Sequence, residues 1–136
     1  MILIDTGYLI AVADRGDALH PRCLAWSRAV GGLMLVTEYV LVEAVNHFSQ
    51  AGVRRNAQTV VDWIQSDASV EIIGAQSSLF DRGLRLHRAR ADKDWSLTDC
   101  ISFHVMQERG VRQALAYDIH FEQAGFDALL RRDPPA

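Results

Sequence analysis

Short apolar runs recur along the chain at Met1 to Ile4, Leu33 to Val36, Val70 to Ile73 and Gln113 to Tyr117, with a possible edge strand over Phe126 to Leu130. None is long enough to be a helix, and the first two carry no polar residue at all, as strands buried on both faces do. Between the runs, apolar positions follow a helical period. Tyr8 to Ala13 is continuously apolar, and Ala18 to Val30 carries Leu24, Trp26 and Val30 among polar residues, with Pro21 suited to a first helical turn. Val40, Ala44 and Phe48 share one helical face. Arg54 to Ser66 and Gln76 to Arg90 read as two further amphipathic helices. Short strands alternating with helices predict a single α/β domain built on an open parallel sheet of four to five strands.

Polar residues mark where these elements start and stop. Gly31-Gly32 separates the second helix from the second strand, and Thr37 is placed to cap the helix that follows it. Ser96-Leu97-Thr98-Asp99 has the spacing of a capping box, and Gly110 is suited to end the helix so begun. Residues 1–131 are expected to form the domain, with 132–136, which include Pro134-Pro135, as a loose C-terminal tail.

This layout gives four carboxylates a common address. Asp5 follows the first strand and Asp118 the fourth, and in such sheets ligands bind beyond the strands' carboxyl ends, where the strand order reverses. The order 3-2-1-4-5 sets those two strands side by side. Glu43 interrupts the apolar face of Val40, Ala44 and Phe48, and Asp99 lies in the first turn of its helix, so both are expected to reach in toward the same edge. Singly, each has a structural explanation: Asp5 as a turn residue, Glu43 as a helix edge in contact with water, Asp99 as a cap, Asp118 as the N-cap of a turn from Ile119. Together they would repel one another unless a cation intervened. All-oxygen donors select Mg²⁺ or Mn²⁺, and a metal held that way suits hydrolysis of a phosphodiester.

Composition narrows the rest. A net charge of -3 argues against a broadly basic surface, yet Arg82, Arg85, Arg88, Arg90 and Lys93 supply five of the 14 cations within one short stretch. Those five are candidates for a local positive face on an acidic protein; a solvated helix face is the alternative. Cys23 and Cys100 stand far apart and pair with no second cysteine or zinc-spaced histidine, which fits a reducing cytoplasm. His47 and His104 lie within helices, and His120 is expected to pack or to donate to backbone. No apolar run approaches the length of a membrane span, and no signal peptide is expected.

The segments I-L-I-D-T-G-Y-L, T-E-Y-V-L-V-E-A-V-N, W-S-L-T-D-C-I-S-F and A-L-A-Y-D-I-H-F-E-Q-A-G-F together resemble PIN-domain ribonucleases, especially VapC-type toxins of bacterial toxin-antitoxin pairs, over nearly the whole chain. The resemblance implies a Mg²⁺- or Mn²⁺-dependent endoribonuclease whose acidic quartet falls on Asp5, Glu43, Asp99 and Asp118. It also implies a homodimer held inactive by a cognate antitoxin protein. Thr6 and Thr98 match hydroxyl positions beside family acids and would orient them, whereas Ala116 stands where many relatives carry a hydroxyl. Asp94 is a possible fifth acid, and Trp95 is a candidate for stacking on a base, with a core position as its alternative.

Three other readings fit less of the chain. Asp-Thr-Gly after an apolar run also occurs in aspartic proteases, but those need an almost entirely β chain. Haloacid-dehalogenase-type phosphatases need a second aspartate where Gly7 stands. A PIN-like RNA- or protein-binding module without turnover would not need the full quartet.

Overall fold

Successive strand residues point to opposite faces of a sheet, and here both faces are covered. The computed structural model describes residues 1–136. Its sheet is wholly parallel, with β1 (Ile2–Ile4) in the centre, β2 (Met34–Thr37) and β3 (Val70–Ile73) on one side, and β4 (Gln113–Leu115) and β5 (Asp127–Ala128) on the other. Ile4, Val36 and Leu115 face the helices α1 (Thr6–Ala13), α2 (His20–Ala29), α3 (Glu38–His47) and α4 (Arg54–Ser66). Leu3, Leu35 and Ala114 face α5 (Ser77–Ala89), α6 (Leu97–Arg109) and the short α7 (Ile119–Gln123). Burial on both sides is why the first two strands read as unbroken apolar runs. The observed order β3-β2-β1-β4-β5 is the expected one, and no helix is long and apolar enough to cross a membrane.

The caps behave as their residues dictate. Thr37 Oγ1 accepts the Val40 N–H at 3.2 Å, and Ser96 with Asp99 forms the reciprocal capping box. Gly110 ends α6 with φ +66°, a left-handed conformation that most side chains resist. Two strands are shorter than expected. β4 stops at Leu115, and β5 spans only Asp127–Ala128 before a 3-10 turn, Leu129–Arg131. That turn lets Leu129 and Leu130 enter the core beside Leu115, while the Leu130 N–H bonds to the Ala116 carbonyl at 3.1 Å. The C-terminal segment is tied down at its first two residues. Arg132 pairs with Asp127 at 2.7 Å and accepts from the Trp26 indole at its carbonyl, and Asp133 pairs with Arg22 at 3.0 Å.

α5 and α6 pack against each other tightly at Gly83. A Cβ there would collide with the Ile101 side chain and lie 3.3 Å from its backbone. Gly83→Ala is therefore expected to destabilise the domain by about 1–3 kcal/mol despite alanine's better helix propensity. A urea melt with an unchanged midpoint would refute that packing.

Candidate active site

Asp5 sits where β1 gives way to α1. Its N–H makes the last bond of the β1–β4 ladder, to the Leu115 carbonyl at 3.3 Å, so its side chain begins where the sheet ends. It occupies the N-cap position of α1 without making a side-chain cap. Beyond the sheet's carboxyl edge lies a cavity of about 510 Å³, and Asp5, Glu43, Asp99 and Asp118 all line it. Asp5 is only 7% exposed. Burial pushes its carboxyl up to about 8, the negative charges of Asp99, Glu43 and Asp118 add to that rise, and the Thr6 backbone hydrogen bond opposes it.

Each of the other three acids is held differently. Glu43, half-buried on α3, accepts the Thr6 hydroxyl at 2.7 Å, which fixes the carboxylate from the next element over. Asp99 is buried; its Oδ2 accepts the Ser96 N–H at 3.1 Å and lies 3.1 Å from His120 Nδ1. The cap and the cavity use the same carboxylate. Asp118 precedes α7 but makes no capping bond, so its exposed side chain remains available to the cavity.

Some expectations for surrounding residues change. Thr6 does orient an acid, but Thr98 does not line the cavity. Asp94 does line it. Trp95 is not a surface for stacking: it is 5% exposed, meets Phe103 edge-on, and donates its indole N–H to Gln123 at 3.0 Å. His104 lies 3.4 Å from Glu108, away from the acids. Cys100, fully buried beside Asp99, has its thiol pushed up to about 11 by burial and by that charge, so it is inert packing. Among the lining residues that were not anticipated are Asp17, His47, Tyr117 and the partner of Asp99, His120. His47 carried a signal, being one helical turn after Glu43. His120 carried a weaker one, two residues past Asp118, and Asp17 none, because a loop has no period.

Chemically the cavity suits a hard cation. No lysine or arginine lines it, and six carboxylates do, with two histidines as the only basic groups. Oxygen donors crowded around one buried acid are the set that Mg²⁺ or Mn²⁺ prefers. As the side chains stand, no three converge tightly enough to hold an ion, so binding would draw the carboxylates inward. Asp5, Glu43, Asp99 and Asp118 are the residues that fit this role.

The cationic stretch is only partly free. Arg82 lies 3.6 Å from Glu108, and Arg90 pairs with Asp92 at 3.0 Å while its guanidinium covers the Trp95 ring. Arg85, Arg88 and Lys93 have no carboxylate partner; Arg85 lines a shallow concavity with Arg82 and His104.

The same architecture recurs in known proteins. The chain is similar, at 25% identity over 126 residues, to the 23S rRNA-specific endonuclease VapC20 of Mycobacterium tuberculosis, with 93% of this chain and 95% of that protein covered. The crystal structure of M. tuberculosis VapC20, described there as a sarcin-ricin loop cleaving toxin, superposes with a TM-score of 0.87 at 23% identity, covering 94% of this chain and 98% of the other. That likeness establishes the shared fold. The sequence model of the PIN domain matches residues 2–127, a span that takes in the first four strands, the start of the fifth and every acid lining the cavity, and on that match the chain belongs to the PIN-domain family.

Proposed function

We propose that this protein is a divalent-metal-dependent endoribonuclease and the toxin of a bacterial toxin-antitoxin pair. The observation that carries the reading is Asp5, a carboxylic acid buried at the carboxyl edge of a parallel sheet among three more acids that raise its proton affinity. Such a site costs stability unless it serves a cation. Membership of the PIN-domain family and likeness to an rRNA-specific endonuclease support RNA as the substrate.

When bound, Mg²⁺ or Mn²⁺ would polarise the phosphodiester and lower the pKa of an attacking water. The chain's own part is to hold the ligands. Thr6 fixes Glu43, the Ser96 N–H and His120 fix Asp99, and Asp5 must give up its proton before it can take a ligand role. His120 Nδ1 beside Asp99 Oδ2 can also hold a proton at the rim of the cavity.

The test is cleavage of an RNA by the purified chain with and without Mn²⁺ or Mg²⁺. Glu43→Gln and Asp118→Asn are each expected to lose at least about a hundredfold in rate while melting as the wild type does. Metal-independent cleavage, or full activity in both variants, would overturn the assignment.

We further infer a cytoplasmic homodimer inhibited by its antitoxin. Two buried free cysteines suit a reducing compartment, and exposed Val42 and Val45 on α3 offer apolar surface for a partner. The domain is taken as residues 1–131 with the remainder as its tail. Arg85, Arg88 and Lys93, the unpaired members of the cationic stretch, are assigned to the RNA backbone, with Arg82 and Arg90 contributing less because acids already engage them. Replacing the three unpaired cations by alanine is expected to reduce the salt slope of RNA binding by about 2 log units per log unit of salt. An unchanged slope would remove the stretch from the RNA path.

A further inference from the structure

A cavity lined by six carboxylates repels a polyanion except at a bound cation, so within the cavity, away from the cations assigned to the backbone, an RNA gains affinity from groups that do not read its charge. Base stacking is such a contribution, because every base presents a π-face. The sequence offered Trp95 for that purpose, and its burial removes it. One aromatic ring apart from the histidines does line the cavity, that of Tyr117.

Tyr117 has the properties of a platform. It is 45% exposed, unlike Trp95, Phe103 and Phe121, which close the core of the same region. It directly precedes Asp118, so whatever it binds lies next to the acids. Arg131 holds it twice: its Nη1 donates to the Tyr117 carbonyl at 2.8 Å, and its guanidinium sits 5.1 Å from the ring centroid. Arg131 is itself steadied by Glu122, 3.5 Å away. A cation covering one face fixes the ring and leaves stacking to the other. An exposed aromatic with no ligand would gain little from so much support.

We propose that Tyr117, backed by Arg131, forms a nucleobase subsite that stacks one base of the RNA beside the scissile phosphate. The proposal rests on the nuclease reading and deepens it. Recognition here is by the π-face and not by hydrogen bonds to base edges, so the subsite accepts any base and sets the register of the strand over the acids.

The experiment uses the full chain and a set of short RNA oligonucleotides, each with one abasic nucleotide at a successive position around the cleavage site. On intact RNA, Tyr117→Ala is expected to raise KM about tenfold with kcat changed far less, and Tyr117→Phe to keep the wild-type KM, since the ring and not the hydroxyl makes the contact. At one position in the set, the abasic RNA should weaken the wild type by a similar factor, and Tyr117→Ala should add no further loss there. Additive losses at every position, or a Phe variant as impaired as Ala, would overturn the subsite. Binding measured by fluorescence anisotropy in EDTA separates the two levels of the argument. Weaker binding by Tyr117→Ala in a chain that cleaves no RNA would retain the subsite and discard the nuclease; normal cleavage with unaltered binding would discard the subsite alone.

Discussion

Asp5→Asn should abolish metal-dependent RNA cleavage and at the same time make the metal-free protein more stable. The two effects have one cause. Folded Asp5 holds its proton up to about pH 8, whereas its ordinary value is 3.8. Between those values the folded chain binds more protons than the unfolded one, so metal-free stability falls as pH rises through that window and levels off above it. Below the window the penalty is absent. Asparagine occupies nearly the same volume and cannot ionise, so the variant's stability should be flatter with pH and its Tm higher at the alkaline end, by at least about 5 °C. Mn²⁺ should raise the wild-type Tm at that end and leave the variant nearly unmoved, because binding to a deprotonated carboxylate offsets the burial cost. Thermal melts across pH, with and without the ion, check this; a wild-type profile flat in pH would show that Asp5 is not the strained group described.

The second large effect separates two duties of one residue. Asp99 accepts the Ser96 N–H as part of the capping box and also lines the cavity. Asp99→Asn keeps an oxygen for the cap and loses the charge; Asp99→Ala loses both. RNA cleavage is expected to fall by at least about a hundredfold in each. Only the alanine variant should lose helix stability, by about 1 kcal/mol. Cleavage surviving in the asparagine variant would reduce Asp99 to a cap. Equal melting of the two variants would instead mean that the carboxylate contributes nothing to α6.

The fold was legible because its physics is local or periodic. Unbroken apolar runs marked strands covered on both faces, Thr37 and Ser96 marked helix starts, and alternation of strands with helices implied the parallel sheet whose order the structure bears out. What could not be read was decided by tertiary packing. β5 gives way to a turn because Leu129 and Leu130 are needed in the core, a demand that appears only once β4 lies beside it. The four acids could be assigned to one edge from their positions relative to strands, and all four do line one cavity. His120 against Asp99, and Tyr117 in the wall, depend on how α7 and the final turn dock, which no period in the sequence records. Trp95 could have gone either way on composition; Phe103 and Gln123 hold it inside.

The central position of β1 has a consequence for how the protein is made. Asp5 is synthesised more than a hundred residues ahead of the strand that β1 needs on its far side and of the acid that follows that strand, which come from residues 113–118. β1 and β2 can pair early, but the cavity has no second wall until β4 arrives, a contact that spans most of the chain. A nascent or prematurely terminated chain therefore carries an incomplete set of acids. This topology keeps the acidic cavity open on one side until residues 113–118 have been made and β4 can pair with β1, so the site assembles late however early its first acid is in place.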